Sequence, residues 1–127
     1  MRVQRTFPPE RASGHRAQEF VAQLLGGKRF DTIAARIVTS ELVTNAVEHA
    51  RTEATVTVWR ADDHIRIEVS DADAGGALRL QRPPPESESG RGLLFVDELA
   101  REWGVELHHA GKTVWAVLDR PALAVSA

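Results

Sequence analysis

The stretch ELVTNAVEHA, residues 41–50, carries polar side chains at four-residue steps inside an otherwise apolar run. Glu41 and Asn45 stand four apart, and on a helix that spacing sets both side chains on one face, about one turn from each other. A carboxylate and a carboxamide so placed can share a divalent cation with bound phosphates, and Mg²⁺ in particular uses few protein oxygens and keeps several waters. The same pair also suits the solvated stripe of an amphipathic helix, and spacing alone leaves both readings open. His49, one turn further, reads as a surface or helix-end residue.

Two other stretches have chemistry to offer. In SGRGLLF (89–95), Gly90 and Gly92 come just before an apolar helical pattern, where free backbone N–H groups and the positive end of the helix dipole receive phosphate, and Arg91 adds a charge. Glycines before helices are also ordinary turn residues. Asp71 closes an alternating run and is followed by Asp73, Gly75 and Gly76, so it can accept a hydrogen bond from a ligand amino group or simply belong to a turn. GKT at 111–113 is not a phosphate-binding P-loop, because position 106, where that motif needs glycine, is Glu106 and the triplet opens a strand. The five histidines show no HExxH spacing, which argues against a zinc enzyme.

The elements that must carry these residues follow from periodicity. RVQRTF (2–7) reads as a short edge strand ended by Pro8 and Pro9. Ala17, Phe20, Val21, Leu24 and Leu25 recur at helical spacing from about Ser13, a cap candidate, to the stop at Gly26-Gly27. A second helix runs from Asp31, another cap candidate, to about His49, turning Ile33, Ala34, Ile37, Val38, Leu42 and Val43 toward a core. ATVTVW (54–59) and HIRIEVSD (64–71) alternate in twos and form a hairpin. GLLFVDELAREW (92–103) is helix-like, a fourth strand starts near Trp103, and KTVWAVL (112–118) is a fifth. Residues 72–90 hold three consecutive prolines and no periodicity, a loop of a length that compact domains keep for a lid or a binding segment.

These elements predict an α/β (α+β) two-layer sandwich, with helices on one face of a mixed, mostly antiparallel sheet. One domain over residues 1–120 is expected, with a tail at 121–127. Sixteen Lys+Arg against 18 Asp+Glu give a formal charge of −2 with no basic block, which speaks against nucleic acid. No run approaches the roughly 20 apolar residues that span a bilayer, and no cysteine is present for disulfides or thiolate metal sites. The first thirty residues lack the apolar core of a secretory signal, so a soluble cytoplasmic protein is expected.

Together, Glu41, Asn45, Asp71, Gly90 and Gly92 resemble the ATP-binding domain shared by bacterial histidine kinases and DNA gyrase (the GHKL type, or Bergerat fold). The chain is most similar to the short actinobacterial anti-sigma-factor serine/threonine kinases of the RsbW and SpoIIAB type, over nearly its whole length. SELVTNAVEHA (40–50) matches the family's N box. The resemblance implies that Asn45 holds Mg²⁺ against the ATP phosphates and that Glu41 is the general base. IEVSDADAG (67–75) corresponds to the first glycine box, which implies that Asp71 receives the adenine amino group with Gly75 nearby. GRGLLFVDELAREWGV (90–105) matches the second glycine box, which implies phosphate contacts at Gly90, Arg91 and Gly92. GKTVWA (111–116) matches the last strand pair and implies an adenine contact for Thr113. The loop at about 72–89 then becomes the ATP lid.

One departure stands out. The family's first box runs Asp-x-Gly-x-Gly, whereas Asp71 is followed here by Ala72, Asp73, Ala74, Gly75 and Gly76. By resemblance, the chain transfers the γ-phosphate of ATP to a Ser or Thr of a STAS-type anti-sigma-factor antagonist, sequesters a sigma factor, and pairs as a homodimer. The alternative is a catalytically silent nucleotide-binding module that regulates a partner by binding.

Overall fold

The computed structural model describes residues 1–26, 32–73 and 88–120. Strand β1 (Arg2–Phe7) is followed by helices α1 (Ser13–Leu25) and α2 (Thr32–Thr44), and α2 runs on without a break into a π-helical segment, Asn45–Ala50. Then come β2 (Ala54–Arg60), β3 (His64–Asp71), helix α3 (Glu88–Leu99), β4 (Glu102–His108) and β5 (Gly111–Asp119). The strands form one sheet in the order β1-β2-β3-β5-β4, and its four ladders are antiparallel. All three helices lie on one side of it, giving the expected two-layer α/β architecture. Among the described residues, no helix is long and apolar enough to cross a membrane.

Alternation explains the layering. Val56 and Val58 on β2, Ile65, Ile67 and Val69 on β3, and Val114, Ala116 and Leu118 on β5 are all buried. The ladders place them side by side, as in Ile67 opposite Ala116 and Val69 opposite Val114. This is one face of a pleat. Against it α2 presents Ala35, Val38, Leu42 and Val43, while α1 adds Ala17, Val21 and Leu25 and α3 adds Leu93 and Val96. Burying a side chain of the Val or Leu size contributes about 1.5–3 kcal/mol, so this shared apolar layer is the main stabilising force.

The opposite face is polar. Gln4 donates to Thr57 at 3.0 Å, Thr6 and Thr55 share a hydrogen bond of 2.9 Å, and Arg66 pairs with Glu68 at 2.7 Å while lying 4.4 Å from the ring centroid of Trp115. Such contacts, across strands for Gln4–Thr57, Thr6–Thr55 and Arg66–Trp115 and along β3 for Arg66–Glu68, hold the sheet face that the helices do not cover.

Several local expectations change. Ile33 and Ile37 do not enter the core: they are 70% and 36% exposed. On a 3.6-residue helix they sit about 100° from Ala34 and Val38, and the narrow space over the sheet is filled by those smaller residues instead. Ser13 begins α1 but does not cap it, because its hydroxyl donates to the carbonyl of Pro8 at 2.6 Å and the N-cap position is Ala12. α3 starts at Glu88 and ends at Leu99, so Gly90 and Gly92 are its third and fifth residues and not a turn ahead of it. Asp31, Gly27, residues 74–87 of the expected lid, and the tail 121–127 lie outside the described residues.

At one end of the sheet the β3 and β5 backbones come very close. A Cβ at Gly111 would stand 1.9 Å from the carbonyl oxygen of Asp71. Gly111→Ala is therefore expected to lower the unfolding free energy by about 2 kcal/mol or more in urea titration, the range of a forced overpacking, whereas a loss under about 0.5 kcal/mol would contradict this packing.

Candidate functional site

Where β3 and β5 end together, the apolar face is broken by charge. The ladder pairs Asp71 with Lys112, two residues beyond the Val69–Val114 pair and on the same face as it, so both charged side chains point toward the helices. Lys112 Nζ lies 2.7 Å from Asp71 Oδ2, and each side chain keeps only 3% of its surface accessible. Asp71 Oδ1 accepts the backbone N–H of Asp73 at 2.8 Å, an Asx turn, and Nζ also reaches the Asp73 carbonyl at 3.4 Å. A carboxylate has about four acceptor positions, so both oxygens retain capacity for a ligand donor. With so little surface accessible, a ligand that meets this carboxylate must displace part of its cover.

The second part of the site comes from the helix. Asn45 is the first residue of the π-helical segment and is 7% exposed. Its Nδ2 is buried without a hydrogen-bond partner. A buried orphan donor costs about 1–3 kcal/mol, and π-helical segments are rare and frequent at functional sites. The amide orientation is an assignment, so what the site offers a ligand is a carboxamide with unused polar capacity. Such a group fits phosphate oxygen or a hydrated Mg²⁺ beside it. Among the described residues no three His, Asp or Glu side chains converge as a metal site, so a cation here would rest on Asn45 and on ligand oxygens.

The two parts are clipped together. The π segment closes at Arg51, which takes the left-handed conformation with φ 60° and donates its N–H to Ala46. Thr52 N–H also donates to the Ala46 carbonyl at 3.2 Å, and Thr52 Oγ1 accepts the N–H of Ala72 at 3.3 Å. Two hydrogen bonds therefore link the residue after Asn45 to the residue after Asp71. Thr52 has no periodic or motif signal in the sequence.

Other expected site residues are placed as follows. Glu41 is half-buried and borders a cavity of about 270 Å³ together with Gln18, Ile33, Arg36, Ile37 and Ser40, with Arg36 Nη1 donating to Glu19 at 2.6 Å nearby. Gly90 and Arg91 supply N–H groups within the first four residues of α3, where no intrahelical acceptor exists, whereas Gly92 falls just beyond them. Gly75 lies outside the described residues. Thr113 is on the wrong side of the strand for Asp71: it shares 2.7 Å hydrogen bonds with Ser70 and with His108 Nε2 on the uncovered face. The GKT residue beside Asp71 is Lys112. Alternation from Val114, Ala116 and Leu118 was the signal that points to it.

Comparison with known proteins places the chain in a family and a fold. A family model described as a histidine kinase-like ATPase domain matches residues 7–118. The fold is similar to the crystal structure of the RsbU and RsbW domains of Rv1364c from Mycobacterium tuberculosis, with a TM-score of 0.70 and 20% identity over 96% of this chain. The chain spans 34% of the length of that structure. No curated protein is similar enough to the chain to match it.

The Asp71–Lys112 pair makes its own prediction. Asp71→Ala strands a buried ammonium and is expected to cost about 3–5 kcal/mol in denaturant titration, while the double variant Asp71→Asn/Lys112→Met, which removes both charges, loses clearly less. A double variant that loses as much as Asp71→Ala or more would mean that a stranded ammonium is not the source of the cost.

Proposed function

The chain belongs to the histidine kinase-like ATPase domain family, and from that premise we propose that it is an ATP-dependent protein serine/threonine kinase of the anti-sigma-factor type. Its acceptor is a Ser or Thr of a STAS-type antagonist protein, and its second partner is a sigma factor that it sequesters. The observation that carries this reading is Asn45, a buried carboxamide with an unpartnered Nδ2, set one helical turn beyond the carboxylate of Glu41. The fold likeness to a protein containing an RsbW domain supports the same direction.

On this reading the base of ATP lies toward Asp71 and its phosphates toward Asn45 and the first turn of α3. Bound Mg²⁺ supplies charge that offsets the negative oxygens of the triphosphate. The acceptor hydroxyl attacks the γ-phosphorus, a new P–O bond forms, the bond to the β-bridging oxygen breaks, and ADP leaves with that electron pair. Glu41 takes the hydroxyl proton. The N–H groups of Gly90 and Arg91, at the positive end of α3, stabilise charge on the transferring phosphoryl group. The protein contributes position and field more than covalent chemistry.

A second reading is a nucleotide-binding module that regulates its partner without phosphorylating it. It is favoured by the burial of the Asp71 side chain, which already holds Lys112 and is 3% accessible. Two variants separate the readings. Asn45→Ala is expected to weaken Mg²⁺-dependent ATP binding by about tenfold or more, the loss of one good charge-assisted contact. Glu41→Gln is expected to bind ATP nearly as before and to lose phosphate transfer to the antagonist, by mass spectrometry, by about a hundredfold or more. Transfer unchanged in Glu41→Gln removes Glu41 as the base, and ATP binding without transfer in the unaltered protein leaves the regulatory module.

A further inference from the structure

We propose that Lys112 is a specificity-determining positioning residue, which holds the Asp71 carboxylate so that it reads the exocyclic amino group of a purine base. This rests on the nucleotide reading above and adds to it a residue that the motif pattern does not supply.

Three observations support it. First, Lys112 comes from the apolar face of β5, continuing Val114, Ala116 and Leu118, where a lysine has no reason to stand unless its charge is used. Second, its ammonium has a defined target, 2.7 Å from Oδ2 of Asp71, while Oδ1 is held by Asp73 N–H at 2.8 Å. The carboxylate is thus fixed at both oxygens, and the acceptor position left on each has a set direction. Third, Gly111 lets the two strand ends approach so closely that no side chain can separate them there.

The physics is one of placement. A carboxylate free to rotate would lose entropy on meeting the base, and one already held by two donors, the Lys112 ammonium and the Asp73 N–H, has less to lose. Lys112 itself need not touch the nucleotide.

Selectivity, not affinity, tests this, because a ratio of two affinities does not depend on how much of a variant is folded. The probes are ATP and purine riboside triphosphate, which lacks the exocyclic amino group, titrated with Mg²⁺ into the whole chain. The unaltered protein should prefer ATP by about tenfold to a hundredfold, the worth of one hydrogen bond to a charged acceptor. In Lys112→Met the preference should fall below about threefold. Lys112→Gln keeps a donor for Asp71 without the charge and should fold more readily; its preference should lie between the two.

An unchanged preference in both variants would overturn the role of Lys112 while leaving nucleotide binding intact. A raised preference would also overturn it, since Lys112 would then be competing with the base for Asp71. If the unaltered protein binds neither nucleotide, the nucleotide reading itself fails and this inference with it.

Discussion

The ladder between β3 and β5 constrains everything else in this fold. These strands lie at the centre of the sheet, and their pairing runs from His64 opposite Asp119 to Asp71 opposite Lys112 without an interruption. Because side chains alternate, the register that buries Ile65, Ile67 and Val69 also commits Asp71 to the covered face, and the register that buries Val114, Ala116 and Leu118 commits Lys112. Neither charge can be there alone at acceptable cost. A one-residue slip would bring Ser70 and Thr113 inward and expose the apolar row, so the core and the buried ion pair select the same register.

From that ladder the helical layer acquires its function. α2 crosses β3 and β5, and where it switches to π geometry Asn45 holds a buried Nδ2 without a hydrogen-bond partner. Thr52 then ties the end of the helix to the end of β3 through Ala46 and Ala72. Stability and site are therefore built differently: aliphatic burial holds the layers, while a few polar groups with remaining hydrogen-bonding capacity gather at one edge. A donor left unpaired in a well-packed interior is a cost that a phosphate ligand removes, which gives Asn45 a purpose on the proposed reading.

Much of this was legible in the chain, for identifiable reasons. The alternation in HIRIEVSD announces a strand with one buried face, the β-branched and aromatic run KTVWAVL announces a second that is buried at nearly every position, and the break at Pro8-Pro9 ends β1 where the structure ends it. Glu41 and Asn45 are visible because a carboxylate and a carboxamide stand out in an apolar helix. Lys112 was hidden because GKT invites comparison with phosphate loops, which directs attention to the triplet and away from the face on which each of its members lies. Ile33 and Ile37 misled because large aliphatic residues at helical spacing fit a core stripe, whereas the close approach to the sheet favours Ala34 and Ala35. The π turn has no sequence signature: it is a one-residue shift in hydrogen-bond register, set by how the helix end must pack and close at Arg51.

The most direct measurement is a titration of ¹⁵N-labelled protein with Mg²⁺ and ATP, following the Asn45 side-chain amide, the Asp73 backbone amide and the indole N–H signals by NMR. Binding at the edge formed by Asn45 and Asp71 should shift the Asn45 and Asp73 resonances strongly and leave the indoles of Trp59 and Trp115, on the far face of the sheet, nearly in place. Shifts concentrated at Trp59 and Trp115 with Asn45 unmoved would put the ligand on the wrong side of the sheet and contradict the site described here.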